Sequence, residues 1–215
     1  MSVVSPEEAR RIAVRAQLLD GSAKDVLDTV RRLGFLQLDP ISTVATPQQL
    51  VLWSRLGPFD QQELDRLLWQ ERRLFEWGAF VWPIEDLPLV RALMRRPPRG
   101  SAWERRVKEF LEVNKGFRRF VLRELERRGP LLSRELADHS TRTWSSSGWW
   151  GNRNVAVMLE ILHTRGQVAI AGRRSGQRLW DLADRWYPET EAVPLAKAER
   201  LLAEKRFRAL GVRFE

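Results

Sequence analysis

Cysteine is absent from this chain of 215 residues, which excludes disulfides, thiolate metal sites and cysteine nucleophiles. Histidine occurs only twice, at His139 and His163, too few for a histidine-rich metal site or several imidazole-dependent steps. His163, near the end of an apolar run, is expected to be a surface or dipole-paired residue rather than a ligand. No apolar run reaches the roughly 18 residues that a membrane span requires. The first eight residues, Met1 to Glu8, lack a charged leader and an apolar stretch, so a cytoplasmic location is expected. No glycine-rich phosphate loop, Ser/His/Asp set or paired-carboxylate motif is visible. Glu85-Asp86 falls at a predicted helix start, where acids favour the helix dipole, and reads as structural.

What remains is an ordinary globular composition with an uneven charge. Hydrophobic residues make up 43% and charged residues 30% of the chain, enough for one large domain or two small ones. The net charge is +9. Residues 1–100 hold 14 Lys+Arg against 13 Asp+Glu, and residues 101–215 hold 23 against 15. The basic second half is therefore expected to grip a polyanion while the first half does something else. Arginine outnumbers lysine 32 to 5; the bias suits phosphate clamping but equally reflects genome composition.

Read in order, the chain is mainly α with short β-hairpins, an α+β pattern. Ser5-Pro6-Glu7-Glu8 is a helix start, with a serine cap, proline at the first position and acids in the first turn. A second helix is predicted over 22–33, closed by Gly34. A short strand carries Gln37 and Asp39, then Thr46-Pro47 opens a helix ending at Gly57, and Asp60 caps another over 61–69. The aromatic stretch 74–83 reads as a hairpin, and 85–96 as a helix. Helix, helix, strand, helix, hairpin is the winged-helix order, a variant of the helix-turn-helix. Residues 1–96 form this first unit, and 97–101, with two prolines and a glycine, is the linker.

The same order returns over 102–190: one long helix from Trp103 to Arg128, a short helix over 132–137, a Trp/Ser/Gly loop over 144–151, a helix over 155–164 capped by Asn152 or Asn154, and a hairpin over 167–182. That hairpin carries Arg173, Arg174 and Arg178 near its glycine turn, where a wing would meet phosphates; a solvated basic hairpin is the alternative. Residues 191–215 look like the start of a third, incomplete unit whose helix nothing caps or covers. Trp53 and Trp69, at helical spacing, are expected in the core. Trp144, Trp149 and Trp150 lie in the loop, where stacking on bases and simple burial are both open.

The stretch with chemistry is Gly34-Phe35-Leu36-Gln37-Leu38-Asp39-Pro40. If it is extended, Leu36 and Leu38 point to one face and Gln37 and Asp39 to the other, about 7 Å apart. Proline then ends the strand or keeps it at an edge. A carboxylate beside an amide can stabilise developing positive charge, take a proton from water and hold that water. The competing reading is an Asp-Pro turn in which Asp39 caps the next stretch of backbone.

Four separated stretches, Leu33 to Pro40, Leu50-Val51-Leu52-Trp53-Ser54-Arg55-Leu56-Gly57, Leu74-Phe75-Glu76-Trp77 and Arg178-Leu179-Trp180-Asp181-Leu182, together resemble the winged-helix DNA glycosylases of the YcaQ/AlkZ group. Those enzymes unhook interstrand crosslinks and excise bulky alkylpurines. The resemblance implies tandem winged helices around a DNA channel, with no metal and no cofactor, and a Gln-x-Asp catalytic motif matched by Gln37 and Asp39. Gln48 and Gln49 stand where members often carry histidine, Phe80 replaces another histidine, and members are usually longer.

The expectation is therefore a nucleoid-associated enzyme hydrolysing the N-glycosidic bond of N7- or N3-alkylated purines in double-stranded DNA, crosslinks included. The expected DNA contacts are Gln48, Gln49, Arg55, Trp144, Trp149, Trp150, Asn152, Arg153, Arg173, Arg174 and Arg178. A non-catalytic winged-helix regulator is the alternative, and a fragment that binds without turnover a third reading.

Overall fold

Ser5 caps the first helix: its hydroxyl accepts the Glu8 N–H at 3.3 Å while the Glu8 carboxylate accepts the Ser5 N–H at 2.9 Å. This reciprocal box fixes α1, Pro6–Ala16, at the residue the sequence marks. The computed structural model describes residues 4–144 and 153–212. They divide into two units, Met1–Leu93 with Ala192–Glu215, and Met94–Glu191. Both are mixed helix and sheet, and each holds a three-stranded antiparallel sheet. No helix among the described residues is long and apolar enough to cross a membrane.

In the first unit, α2 spans Val26–Leu33. It begins later than predicted because Asp25 is the cap, accepting the Asp28 N–H at 2.6 Å. Gly34 ends it at φ +89°, a left-handed conformation that an L side chain rarely adopts. Then come β1 (Leu36–Gln37), α3 (Pro47–Leu56) and α4 (Gln62–Asp65), which widens into a π-helical turn over Arg66–Gln70. β2 (Leu74–Trp77) and β3 (Phe80–Pro83) are joined by Gly78 and Ala79, both at φ +63°, a tight turn whose twist suits an antiparallel pair. A 3₁₀ turn, Ile84–Asp86, leads into α5, Leu87–Met94. The strands lie in the order β1-β3-β2. Val26, Val30, Leu36, Leu52, Leu64, Leu67, Leu68, Leu74 and Val81 form one buried cluster beneath them.

The second unit repeats the order. The one helix predicted over 103–128 is two, α6 (Ala102–Val113) and α7 (Lys115–Arg128). The break is Asn114, fully buried, whose amide donates to the carbonyls of Phe110 and Arg142 and accepts the N–H of Thr141. A side chain that bonds neighbouring backbone competes with the helix ladder and stops it. β4 (Leu131–Leu132), a 3₁₀ turn at Ser133–Glu135, α8 (Asn154–Thr164), β5 (Val168–Arg174), β6 (Gln177–Leu182) and α9 (Ala183–Trp186) complete the unit. The strand order is β4-β6-β5. Asn154 does not cap by its side chain; it donates to Asp138 and Ser140 and accepts the Trp144 N–H at 2.7 Å.

The last helix, α10 (Leu195–Leu210), does not open a third unit. It packs on α1 and α2 within the first. Ala198 and Ala209 are buried, Lys205 pairs with the buried Asp86, and Gly211 closes the helix against Ile12 and Ala16. Small residues at the contact let two helices approach closely. Asp86 therefore anchors α10, and Glu85 pairs with Arg31, so both acids are structural as expected. Burial lifts the Asp86 carboxyl above its ordinary range, partly offset by Lys205.

Two tryptophans exchange their expected places. Trp53 is 61% exposed on α3, and Trp144 is 3% exposed. Trp144 stands edge-on to Trp103 and Phe110, with ring centroids 5.1 and 5.3 Å away, and Arg106 lies over its ring. Trp144→Ala is expected to cost about 3–5 kcal/mol in denaturant unfolding as a core truncation, whereas Trp53→Ala should stay within about 0.5 kcal/mol, as for an exposed site. Equal losses at both positions would contradict this packing.

His163 is not at the surface. It is buried, with Nδ1 3.2 Å from the Val168 carbonyl and its ring edge-on to Trp180. Burial pushes its pKa down to about 4, the Val168 contact opposing this and Arg178 and Arg173 adding to it. The unfolded chain takes up this proton below about pH 6.5, the folded chain only below about 4, so stability falls as pH drops through that window. The loss should total about 3 kcal/mol across the window and be missing from the His163→Gln variant, read as the difference in unfolding free energy between pH 7 and pH 4.

Candidate active site

Leu36 faces Val81 and Gln37 faces Phe80 in the β1–β3 register. The pairing continues one step further, with the Leu38 N–H donating to the Ala79 carbonyl at 2.8 Å. Leu36 is buried in the core cluster and Leu38 packs against it. Period-two alternation then turns Gln37 and Asp39 to the other side. Gln37 is exposed and Asp39 partly so. Pro40 has no N–H to extend the ladder, and the edge ends here.

Each polar group of the pair has defined surroundings. Asp39 Oδ1 accepts the Ile41 N–H at 2.9 Å, and the Asp39 N–H donates to Gln48 Oε1 at 3.1 Å. The local turn is thus the Asx turn that the sequence left open as the alternative, yet it occupies only one carboxylate oxygen. Among the described residues Asp39 has no ion-pair partner, and neither its Oδ2 nor the Gln37 amide has a hydrogen-bond partner. An exposed amide and a carboxylate oxygen are therefore available on one strand edge.

The same face of the sheet is aromatic. Residues directly opposed in an antiparallel pair project to one side, so Phe80 stands beside Gln37. Phe80 packs edge-on to Phe35, centroids 4.9 Å apart, and both approach Trp82, at 6.1 and 5.4 Å. Trp82 Nε1 donates to the Trp77 carbonyl at 3.0 Å. Phe80, noticed in the sequence only as a missing histidine, is the cross-strand neighbour of Gln37. The register that makes it so was readable only once the Gly78-Ala79 turn was placed.

The helix start after the motif divides its two glutamines. Gln49 Oε1 accepts from the Thr46 N–H and hydroxyl at 3.1 and 2.9 Å, and its amide donates to Gln61 at 3.3 Å. That side chain is committed to capping α3. Gln48 instead holds the Asp39 backbone. Arg55 is not brought to the pair: its guanidinium donates to the Val51 carbonyl, Ser54 Oγ and Gln17 Oε1 at 3.2, 2.7 and 3.4 Å, and burial lowers its pKa.

In the second unit Arg173 and Arg174 are exposed at the hairpin end, and Arg174 approaches Glu135 at 3.4 Å. Arg178 is half-buried, pairs with Glu160 and lies over the Trp180 ring at 5.8 Å. Arg153 is exposed just before α8. Trp144, expected as a loop residue open to bases, is buried by the aromatic contacts described above. Trp149, Trp150 and Asn152 lie outside the described residues.

No solved structure matches the chain. A family model described as "DNA glycosylase AlkZ-like" matches residues 30–213. The match begins four residues before Gly34, includes the Gln37-Leu38-Asp39 edge and runs through the arginine-bearing hairpin to α10. With this length of agreement, the chain belongs to the AlkZ-like DNA glycosylase family, whose work is DNA repair and whose substrate is DNA.

Proposed function

We propose that the chain hydrolyses the N-glycosidic bond of N7- or N3-alkylated purines in double-stranded DNA, crosslinked bases included, with Asp39 and Gln37 as its catalytic residues. The observation that carries this reading is the strand edge. Leu36 and Leu38 are held to the core, and on the other side the Gln37 amide and Asp39 Oδ2 have no hydrogen-bond partner among the described residues. Alkylation at N7 gives the purine a positive charge and makes it a good leaving group. The bond from C1′ to the base breaks and its electron pair leaves with the base. Asp39 stabilises the resulting oxocarbenium-like sugar and accepts a proton from the water that adds to C1′, while Gln37 orients that water. The products are a free base and an abasic site. No lysine stands near the motif in the sequence, Lys24 and Lys108 being the nearest, which favours hydrolysis over a Schiff-base route.

The two units read as winged helices in this proposal. In each, a helix, a short strand, a helical segment (α3 in the first unit, the 3₁₀ turn at Ser133–Glu135 in the second), a further helix and a hairpin come in order, and the first strand pairs with the third. The basic hairpin of the second unit grips the phosphates, through Arg173 and Arg174 first and Arg153 beside α8. Arg178 contributes less, because it is half-buried over the Trp180 ring rather than exposed at the hairpin end. The Asx turn at Asp39 is the one observation that favours the rival, a DNA-binding protein without turnover.

Base release from a duplex carrying 7-methylguanine separates the two. Asp39→Asn preserves shape and removes charge; it should leave DNA affinity nearly intact and cut the release rate by about 10²-fold or more. Gln37→Ala should slow release less, since a second water can replace an amide. Leu38→Asn should lower the melting temperature instead. Release unchanged by Asp39→Asn would end the catalytic assignment.

For the phosphate grip, the measurement is the dependence of affinity on salt. Arg173→Ala and Arg174→Ala should each lower the slope of log K against log salt by about one unit, across all sequences. Arg178→Ala should move the slope less and stability more, because the side chain is half-buried over the Trp180 ring and paired with Glu160. An unchanged slope in the Arg173→Ala/Arg174→Ala double variant would remove the hairpin from the interface.

A further inference from the structure

The three most exposed large apolar side chains among the described residues are Val44 at 92%, Ile41 at 67% and Trp53 at 61%. All three fall within the fourteen residues after Asp39. Scattered exposed hydrophobes are normal on a protein surface, whereas a concentration of the largest exposures marks a place that meets something else. The stretch from 40 to 44 has no helix or strand, and its backbone is not left to wander. The Ile41 N–H is bonded to Asp39 Oδ1, the Asp39 N–H to Gln48, and Thr46 is locked to Gln49 at the start of α3. The loop is thus tied at both ends and presents isoleucine and valine to solvent.

We propose that Ile41 and Val44 form an apolar wedge that enters the base stack of duplex DNA beside the nucleotide held at Asp39. The inference rests on the reading of Asp39 as the residue that meets C1′ of the target. The reach of the chain then decides what Ile41 touches. Two residues span at most about 7 Å, less than the width of a base pair, so a sugar at Asp39 has Ile41 against its base or the neighbouring one. A branched apolar side chain there gains by leaving water for the face of a base, and proteins that part base steps do so with such wedges. The charges that hold phosphates elsewhere on the chain do not serve this purpose, and none lies between Pro40 and Thr46. The occupant that fits is therefore the interior of the stack rather than its backbone.

The test uses a duplex with one 7-methylguanine and 2-aminopurine as its 3′ neighbour, whose fluorescence rises on unstacking. The Asp39→Asn chain serves as the parent, so that no base is lost during the measurement. At saturation, confirmed by anisotropy, the parent should raise the fluorescence about fivefold. The parent carrying also Ile41→Ser and Val44→Ser should recover less than half of that rise at the same occupancy, with an unchanged melting temperature. Ile41→Leu with Val44→Ile should restore the signal. An equal rise from the serine variant, or no rise from the parent, overturns the wedge. Base release by the unaltered chain on the same duplex is scored separately. Unstacking without release sinks the glycosidic chemistry and keeps the wedge, and release without unstacking does the reverse.

Discussion

The burial of Leu36 is the constraint on which the rest of this structure turns. It sits at 2% exposure between α2, α3 and β3, opposite the fully buried Val81. A strand of two paired residues contributes little by itself, since its ladder is too short to hold a register. The register is held by the side chain instead. Sliding β1 by one residue would bring Gln37 into an apolar cluster of valines and leucines, where an unpartnered amide costs several kcal/mol. Fixing Leu36 therefore fixes the outward side of Gln37 and, through Leu38, that of Asp39. Packing and chemistry share one cause.

The charge distribution obeys a second logic. Basic residues gather in the chain's second half, yet several are already paired, Arg174 to Glu135, Arg178 to Glu160 and Arg142 to Glu109. Exposed pairs of this kind contribute little to stability. Their effect is to hold long side chains in place at modest cost. Arg178 differs, because it is half-buried against Trp180; its packing links the hairpin to α8, whose Glu160 it meets.

The legible parts of the fold were those written in local chemistry. Ser5 and Pro6, Gly34, and Thr46-Pro47 each act within four residues, so their effect is visible in sequence. The alternation through Leu36 and Leu38 was equally plain. Features that depended on distant contacts were misread. Trp53 has helical spacing, but spacing does not say which face of a helix is covered, and α3 buries Leu52 instead. Asn114 looks like one more polar residue in a charge-laced helix until Thr141 and Arg142 bring their backbones to it. Likewise α10 reads as the start of something new because Asp86, Ile12 and Ala16, its partners, lie more than a hundred residues earlier. The cluster of exposed Ile41 and Val44 is invisible in the same way, since exposure is a property of everything that fails to cover a residue.

The Asx turn, which first looks like a rival to catalysis, can instead be one of its conditions. A carboxylate that must meet a forming cation works best when its orientation is set before the substrate arrives, because reorganisation during the reaction costs rate. An aspartate on an exposed strand end would otherwise rotate freely about two bonds. The Ile41 N–H restricts Oδ1, and Gln48 restrains the backbone from which the side chain springs. Oδ1 is held by that bond, and Oδ2 has no hydrogen-bond partner among the described residues. An ionised carboxylate has acceptor sites on both oxygens, so the bond at Oδ1 leaves Oδ2 able to take a proton from water. In the function proposed above, the turn and the site are then one arrangement, with the first oxygen serving the fold and the second left for the substrate.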